Sequence, residues 1–282
     1  MTQPPKPRAA FAPAHITGFF VICPHENPAM AGSLGCGITL KAGVTTRVEI
    51  GGPDYSPCPT IGSVVSRLTR RPCSVRITSD IPIGAGFGAS GAGALGTAFT
   101  LNHALSLDLT TSQLTEIAHI AEVENRTGLG DVVAQSLGGV VTRRTPGASA
   151  RLDRIHTDAK DVFWVVFDKM QTKKILNDES AVDRINPAGM DALRELLKMP
   201  TVENFMIQSR RFAARTGLMS NIVSDAADAV EAAGGMASQA MLGDSVFAVD
   251  VTGGAGDAIE SALSEFGSVG RSRIGFRGAR PI

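Results

Sequence analysis

The chain has 282 residues, 43% of them apolar, and 27 Lys and Arg balance 27 Asp and Glu to a formal charge of zero. That balance argues against nucleic acid or an anionic membrane as the main partner, because both demand a basic face, and no apolar stretch reaches membrane-spanning length. The length supports a large core in two α/β lobes or one large domain, and the four cysteines, with no C-x-x-C pair, read as reduced thiols of a cytoplasmic protein.

Residues 1–7 read as a disordered lead. Ala9 to Pro13 and Phe19 to Cys23 read as two strands joined by a tight turn over 14–18. Cys23-Pro24-His25-Glu26 offers metal-ligand types, but the second half of a zinc site is missing. A Gly-rich loop from Gly32 to Gly37 leads to strands at Ile38 to Leu40 and Thr45 to Ile50, followed by a turn over Gly51 to Pro59. Four strands around a crossover helix near Gly62 to Thr69 would make one mixed sheet, and Cys73 to Ser79 alternates as a half-buried strand does.

The stretch Pro82-Ile83-Gly84-Ala85-Gly86-Phe87-Gly88-Ala89-Ser90-Gly91-Ala92-Gly93-Ala94 then joins that strand to a helix rich in Ala and Leu, Ser90 to Leu105. Glycines permit φ > 0 and let backbone N–H groups meet a ligand unobstructed, and a helix N-terminus adds unpaired donors. The stretch therefore reads as a phosphate cradle, with a Gly-rich turn before a tightly packed helix as the plainer alternative. Gly86 to Gly91 satisfies G-x-G-x-x-G, yet Asp108 follows a helix, where the dinucleotide fingerprint needs a strand ending in an acid. No Lys-Ser/Thr pair follows, so the P-loop pattern fails and a metal ion must share the phosphate charge.

A second helix runs from Ser112, a plausible N-cap, to about Asn125, with Leu114, Ile117, Ala118 and Ala121 on its buried face and Glu116, His119, Glu122 and Glu124 as polar members. A short helix starts at Asp131, Gly138-Gly139 turns the chain, and Val140 to Arg143 is a strand. Periodicity fades over Thr145 to Thr157, which places the boundary between lobes 1–157 and 158–282. A strand at Val162 to Phe167 is followed by helices at Pro187 to Met199, Val202 to Arg215 and Asn221 to Ala233. The loop Gly234 to Gly243 leads to a strand at Ser245 to Val251, a helix near Asp257 to Phe266 and a strand near Val269 to Ile274. This order suggests a sheet covered by helices on one face.

With these parts placed, the sequence resembles the GHMP kinases over nearly its whole length. Pro82 to Gly91 stands where that superfamily has Pro, three variable residues and Gly-Leu-Gly-Ser-Ser-Ala. The strings Ala12 to Phe20, Gly86 to Leu95 and Gly128 to Gln135 are most similar to the archaeal pantoate kinase family. The resemblance implies an α+β, two-lobed GHMP-kinase fold, with an N-terminal mixed-sheet α/β lobe carrying the phosphate loop and a C-terminal ferredoxin-like α/β lobe. It implies ATP and Mg²⁺ as cofactors and pantoate, a small hydroxy acid, as the partner molecule, and leaves a homodimer open. By the same resemblance Pro82, Gly84, Gly86, Gly88, Ala89, Ser90, Gly91 and Ala92 hold the nucleotide. Ser90 ligates the metal with a carboxylate from the helix ending Glu122-Val123-Glu124, where Glu122 is favoured because it follows Ala118 by four residues and borders the buried face. Asp131 matches the catalytic aspartate, although a helix N-cap is an ordinary task for an Asp after Gly. His15 stands where mevalonate kinases carry a lysine, and its role is open between hydroxyl activation and carboxylate binding. Arg143 is a candidate for bidentate recognition of the substrate carboxylate, against a plain surface arginine. The third superfamily motif is reduced to Gln239-Ala240-Met241-Leu242-Gly243. The other readings are a GHMP kinase for homoserine, shikimate or mevalonate, and a nucleotide-binding regulator without turnover.

Overall fold

Two long strands carry the first half of the molecule. The computed structural model describes residues 9–158, 160–168 and 178–282, so the expected lead over 1–7 lies outside the described residues. Strand β1, Ala9–Cys23, pairs antiparallel with β2, Gly32–Ile50, through register shifts at Pro13/His15 and Thr17/Phe19. β1 was expected as two short strands around a turn over 14–18, and β2 as a glycine loop followed by two short strands. Pro13 and Gly18 instead sit at irregularities within one continuous strand, the places where a ladder tolerates them. The glycines of β2 serve close packing: a Cβ at Gly37 would lie 2.4 Å from Nε2 of His15 on the neighbouring strand.

Helix α1, Pro59–Leu68, and strand β3, Cys73–Ser79, follow. Helix α2, Ala89–Leu105, is buried on every side from Gly91 to Leu101, which is why its sequence lacks a polar face. Helix α3, Thr111–Asn125, begins one residue before the expected Ser112. Its cap is Thr110, whose hydroxyl accepts from the Gln113 N–H while the Gln113 side chain accepts from the Thr110 N–H. Helix α4, Asp131–Leu137, strand β4, Val140–Arg143, and strand β5, Leu152–Ile155, complete this part, with β5 inside the stretch read as aperiodic.

Strand β6, Asp161–Asp168, opens a second sheet. Helix α5, Glu179–Lys198, starts well before Pro187, which was expected to open it: Asp178 caps the true start, accepting from the Ser180 and Ala181 N–H groups. Helices α6, Val202–Thr216, and α7, Asn221–Ala232, strands β7, Met236–Gln239, and β8, Asp244–Val249, helix α8, Gly256–Ser264, and strands β9, Gly270–Arg273, and β10, Arg280–Pro281, follow. Strand β7 had been read as part of the loop 234–243.

Among the described residues the strands form two sheets. The first, six-stranded, runs β10-β1-β2-β4-β5 with β3 also on β2, and the second, four-stranded, runs β7-β8-β6-β9. The paired strands of the first sheet are antiparallel, where a mixed sheet was expected: β1–β2 and β4–β5 are consecutive in the chain, and β4 returns antiparallel beside β2 after helices α1 to α4. The order of the second sheet is the ferredoxin-like one. The chain end returns to the first sheet, with Gly275 N–H donating to Thr39 O at 2.9 Å and β10 lying beside β1.

One apolar core continues from the first sheet into the helices over the second. Phe20 meets Phe212 at 5.5 Å between ring centroids and Phe87 meets Trp164 at 5.3 Å. Asn186 of α5 caps the end of β1, its Oδ1 accepting from Ile22 N at 2.7 Å and its Nδ2 donating to Ile22 O at 3.1 Å. Because Phe212 is 1% exposed and touches both Phe19 and Phe20, Phe212→Ala should cost about 3–5 kcal/mol in denaturant unfolding. A loss below about 1 kcal/mol would mean that this joint carries little of the stability.

Candidate active site

The loop between β3 and α2 is held from several sides. His15 N–H donates to Phe87 O at 3.1 Å, Gln135 Nε2 to Gly88 O at 2.8 Å, and Ser245 Oγ, from β8, to Ala85 O at 2.7 Å. These bonds tie loop carbonyls back to the protein. Gly84, Gly86 and Gly88 all have positive φ, and Gly88, at φ +63°, is the N-cap of α2 and supplies no capping side chain. The first N–H groups of α2 are therefore left for an external acceptor, as a helix-terminus anion site requires.

This loop forms one wall of a cavity of about 980 Å³. Gly84, Gly86, Gly88, Ala89 and Ser90 line it, whereas Pro82, Gly91 and Ala92 do not; Gly91 and Ala92 are buried in the first turn of α2. Of the expected nucleotide contacts, those three stand behind the wall and shape it.

Beside the loop, close to Gly88, Asp131 opens α4 at the cavity wall with its side chain 23% exposed. His15 Nδ1 lies 2.6 Å from Asp131 Oδ1, and Thr17 Oγ1 lies 3.5 Å from both. Burial pulls the His15 pKa below its ordinary 6.5, while its hydrogen bond to Asp131 and that carboxylate's charge pull it back up. In its neutral form the ring faces an acceptor at this contact, so the proton belongs on Nδ1, from which it is donated to Asp131 Oδ1. His15 is fully buried and absent from the cavity wall. It has no surface for a bound molecule, so of the roles considered for it, direct substrate contact is replaced by contact with Asp131.

Arg143 is far from a surface residue. It is 1% exposed, it faces the cavity, and its Nε and one terminal nitrogen have no hydrogen-bond partner. Burial works against its charge and the Asp131 carboxylate supports it. Ser33 Oγ and Arg143 Nε would each lie 2.5 Å from a Cβ at Gly130, so both groups crowd that glycine from the cavity side. A buried guanidinium with idle donors is costly unless an anion completes it.

Glu122 is 1% exposed and accepts from Thr127 Oγ1 at 2.9 Å, whereas Glu124 is on the surface and paired with Arg67. Burial, and next the charge of Asp131, raise the Glu122 pKa from 4.5 to about 7, against the hydroxyls of Ser90 and Thr127. Ser90 Oγ makes no hydrogen bond of ordinary geometry, so its pull on Glu122 is one of proximity. An idle buried hydroxyl beside a buried carboxyl, under a phosphate-type loop, suits a small hard cation that takes oxygen ligands. His25, by contrast, accepts from the Asn27 N–H in an exposed turn.

Sequence reasoning passed over Thr17, Phe20, Ser33 and Met241 on the cavity wall and Gln135 behind the loop. Thr17 and Phe20 were inside a string already singled out. Met241 was inside the string 239–243, named as the reduced third motif, but its place on the cavity wall depends on tertiary contact.

Loop, carboxylate, arginine and idle hydroxyl together define a phosphotransferase site. Residues 60–139 match the family model described as the GHMP kinases N terminal domain. Pantoate kinase of Methanocaldococcus jannaschii is 38% identical over 267 residues, 90% of this chain and 95% of that protein. Pantoate kinase of Thermococcus kodakarensis is 35% identical over 85% of this chain and 86% of that protein. A solved phosphotransferase related to the CoA biosynthesis pathway superposes with a TM-score of 0.85 at 30% identity, covering 96% of this chain and 97% of that one. A homoserine kinase from Cytophaga hutchinsonii, at 17% identity and a TM-score of 0.74, shares the fold. The chain belongs to the pantoate kinase family of the GHMP kinases. It has the two-lobed α+β fold of that superfamily, and among the described residues no helix is long and apolar enough to cross a membrane.

The Glu122 pKa has a measurable consequence. The folded chain binds this proton more tightly than the unfolded chain, so the associated stability is present below about pH 4.5 and is lost as pH rises through about 7. Without divalent cations, the unfolding free energy of the wild type should fall relative to Glu122→Gln by roughly 2–3 kcal/mol between pH 5 and pH 8. Parallel pH profiles for the two proteins would contradict the burial of this acid.

Proposed function

We propose that this small-molecule kinase transfers the γ-phosphoryl group of ATP to the 4-hydroxyl of (R)-pantoate, giving 4-phosphopantoate and ADP, a step of coenzyme A synthesis. The observation that carries this reading is the pairing of Asp131 with the buried, under-bonded guanidinium of Arg143 in one cavity that starts at the phosphate loop. An acceptor with a hydroxyl at one end and a carboxylate at the other matches that pairing.

Each residue has a part that follows from its surroundings. The N–H groups at the start of α2 hold the phosphate oxygens. Ser90 and Glu122 would hold Mg²⁺, which when bound offsets the charge of the β- and γ-phosphates. Arg143 takes the pantoate carboxylate through two N–H donors and turns the 4-hydroxyl toward Asp131. Asp131 accepts the hydroxyl proton as the oxygen attacks phosphorus and the bond to ADP breaks. His15 keeps Asp131 in one rotamer, so that the free carboxylate oxygen faces the cavity. The fit of the metal rests on the idle Ser90 hydroxyl and the sheltered Glu122 carboxyl.

ADP release should be measured across pantoate, pantothenate, homoserine, shikimate and mevalonate. Turnover is expected with pantoate, and release with a different acid in its place would move the assignment to another GHMP substrate. Asp131→Ala should abolish turnover while ATP still binds; unchanged turnover would remove it as the base. Arg143→Ala should raise the pantoate KM roughly 10- to 100-fold with little change in the ATP KM, the loss of a charge-assisted pair. Equal effects on both would argue against carboxylate recognition.

A further inference from the structure

Phe20 and Met241, each 5% exposed, are two large apolar side chains on the wall of the cavity that holds Arg143 and Asp131. Strand register puts Phe20 beside Arg143. Phe20 pairs with Gly35 of β2, and Gly35 pairs with Arg143 of β4, so the three share one row across the sheet. Directly paired residues point to the same face, and the middle one has no side chain. Phe20 and Arg143 therefore stand in one row of the sheet with no side chain at the position between them, and both are on the cavity wall. From behind, Phe212 packs against the Phe20 ring at 5.5 Å and limits its movement.

The Met241 N–H donates to Thr17 O at 3.0 Å in an isolated antiparallel bridge, and Thr17 Oγ1 is 3.5 Å from Asp131 Oδ1. Phe20 is thus tied to the row of the arginine and Met241 to the strand residue beside the aspartate, which gives the cavity an apolar wall near both polar groups. In pantoate the carbon between the 4-hydroxymethyl group and the hydroxy acid carries two methyl groups. With the carboxylate on Arg143 and the 4-hydroxyl at Asp131, those methyls fall on the span between them.

We infer that Phe20 and Met241 are specificity-determining residues that read the two methyl groups of the acceptor and sort it from unbranched hydroxy acids of the same charge. The inference rests on the assignment of pantoate as acceptor. A single methyl group in an apolar pocket separates substrates by roughly 10- to 200-fold in kcat/KM, so two can set a large preference without any polar contact. The thioether of Met241 adapts to a branched carbon, and the Phe20 ring offers a flat, fixed face.

The test compares pantoate with 2,4-dihydroxybutanoate, which keeps both hydroxyls and the carboxylate and lacks the methyls. The wild type should prefer pantoate by about 100-fold or more in kcat/KM. Met241→Ala and the volume-conserving Met241→Gln should each shrink that ratio roughly tenfold through the pantoate KM, with the ATP KM unmoved. Met241→Leu should keep it. A wild type that turns over both acids equally overturns the inference without any variant, and so does a ratio that survives Met241→Gln. A wild type that releases no ADP with pantoate defeats the pantoate assignment itself, a result separate from either of those.

Discussion

His15 and Asp131 are 116 residues apart in the chain and 2.6 Å apart in space. Their hydrogen bond joins the middle of β1 to the first turn of α4, and it is the point from which the rest of the site takes its positions. His15 can sit there because its ring packs over Gly37 of β2, the partner of Thr17, where any side chain would collide with the imidazole. The His15 backbone also holds the phosphate loop through Phe87 O. One residue thus spaces the phosphate loop from the carboxylate that faces the acceptor, and phosphoryl transfer is sensitive to that spacing because positioning supplies much of its acceleration.

Charge around Asp131 is arranged in opposition. Its carboxylate supports the charge of Arg143 and pushes the Glu122 carboxyl toward its neutral form. The same ion thus favours the charged form of Arg143 and the neutral form of Glu122, beside a loop that carries no lysine. A chain with no net charge can hold such a site because Arg143 and Glu122 are buried and Asp131 is largely sheltered, where interactions are screened far less than at the surface.

Much of this was legible in the residues. The cradle was readable because glycine spacing and a following small-residue helix express local backbone needs. Glu122 was preferred to Glu124 on helical periodicity, and burial separates the two as that periodicity implied. The long strands were not legible, since Pro13 and the glycines of β2 carry breaker signals locally, and only the neighbouring strand shows that they mark bends and close contacts. The start of α5 was misread for a similar reason: Pro187 is a good first helical residue, but Asp178 supplies a better cap and the buried face of the helix holds the proline inside. His15 could be picked out as unusual, yet its burial behind Asp131 depends on Gly37 across the sheet, which no local pattern encodes. Met241 was within a named motif string, yet its contact with Thr17 of β1 is likewise tertiary.

The central claim is that one cavity holds a hydroxyl at Asp131 and a carboxylate at Arg143 on the same molecule. A crystal structure with pantoate and a non-hydrolysable ATP analogue tests it most directly. The account predicts the 4-hydroxyl oxygen within about 2.6–3.2 Å of the Asp131 carboxylate, with the pantoate carboxylate on the Arg143 guanidinium. Pantoate bound with its carboxylate away from Arg143, or with its 4-hydroxyl out of reach of Asp131, would contradict it.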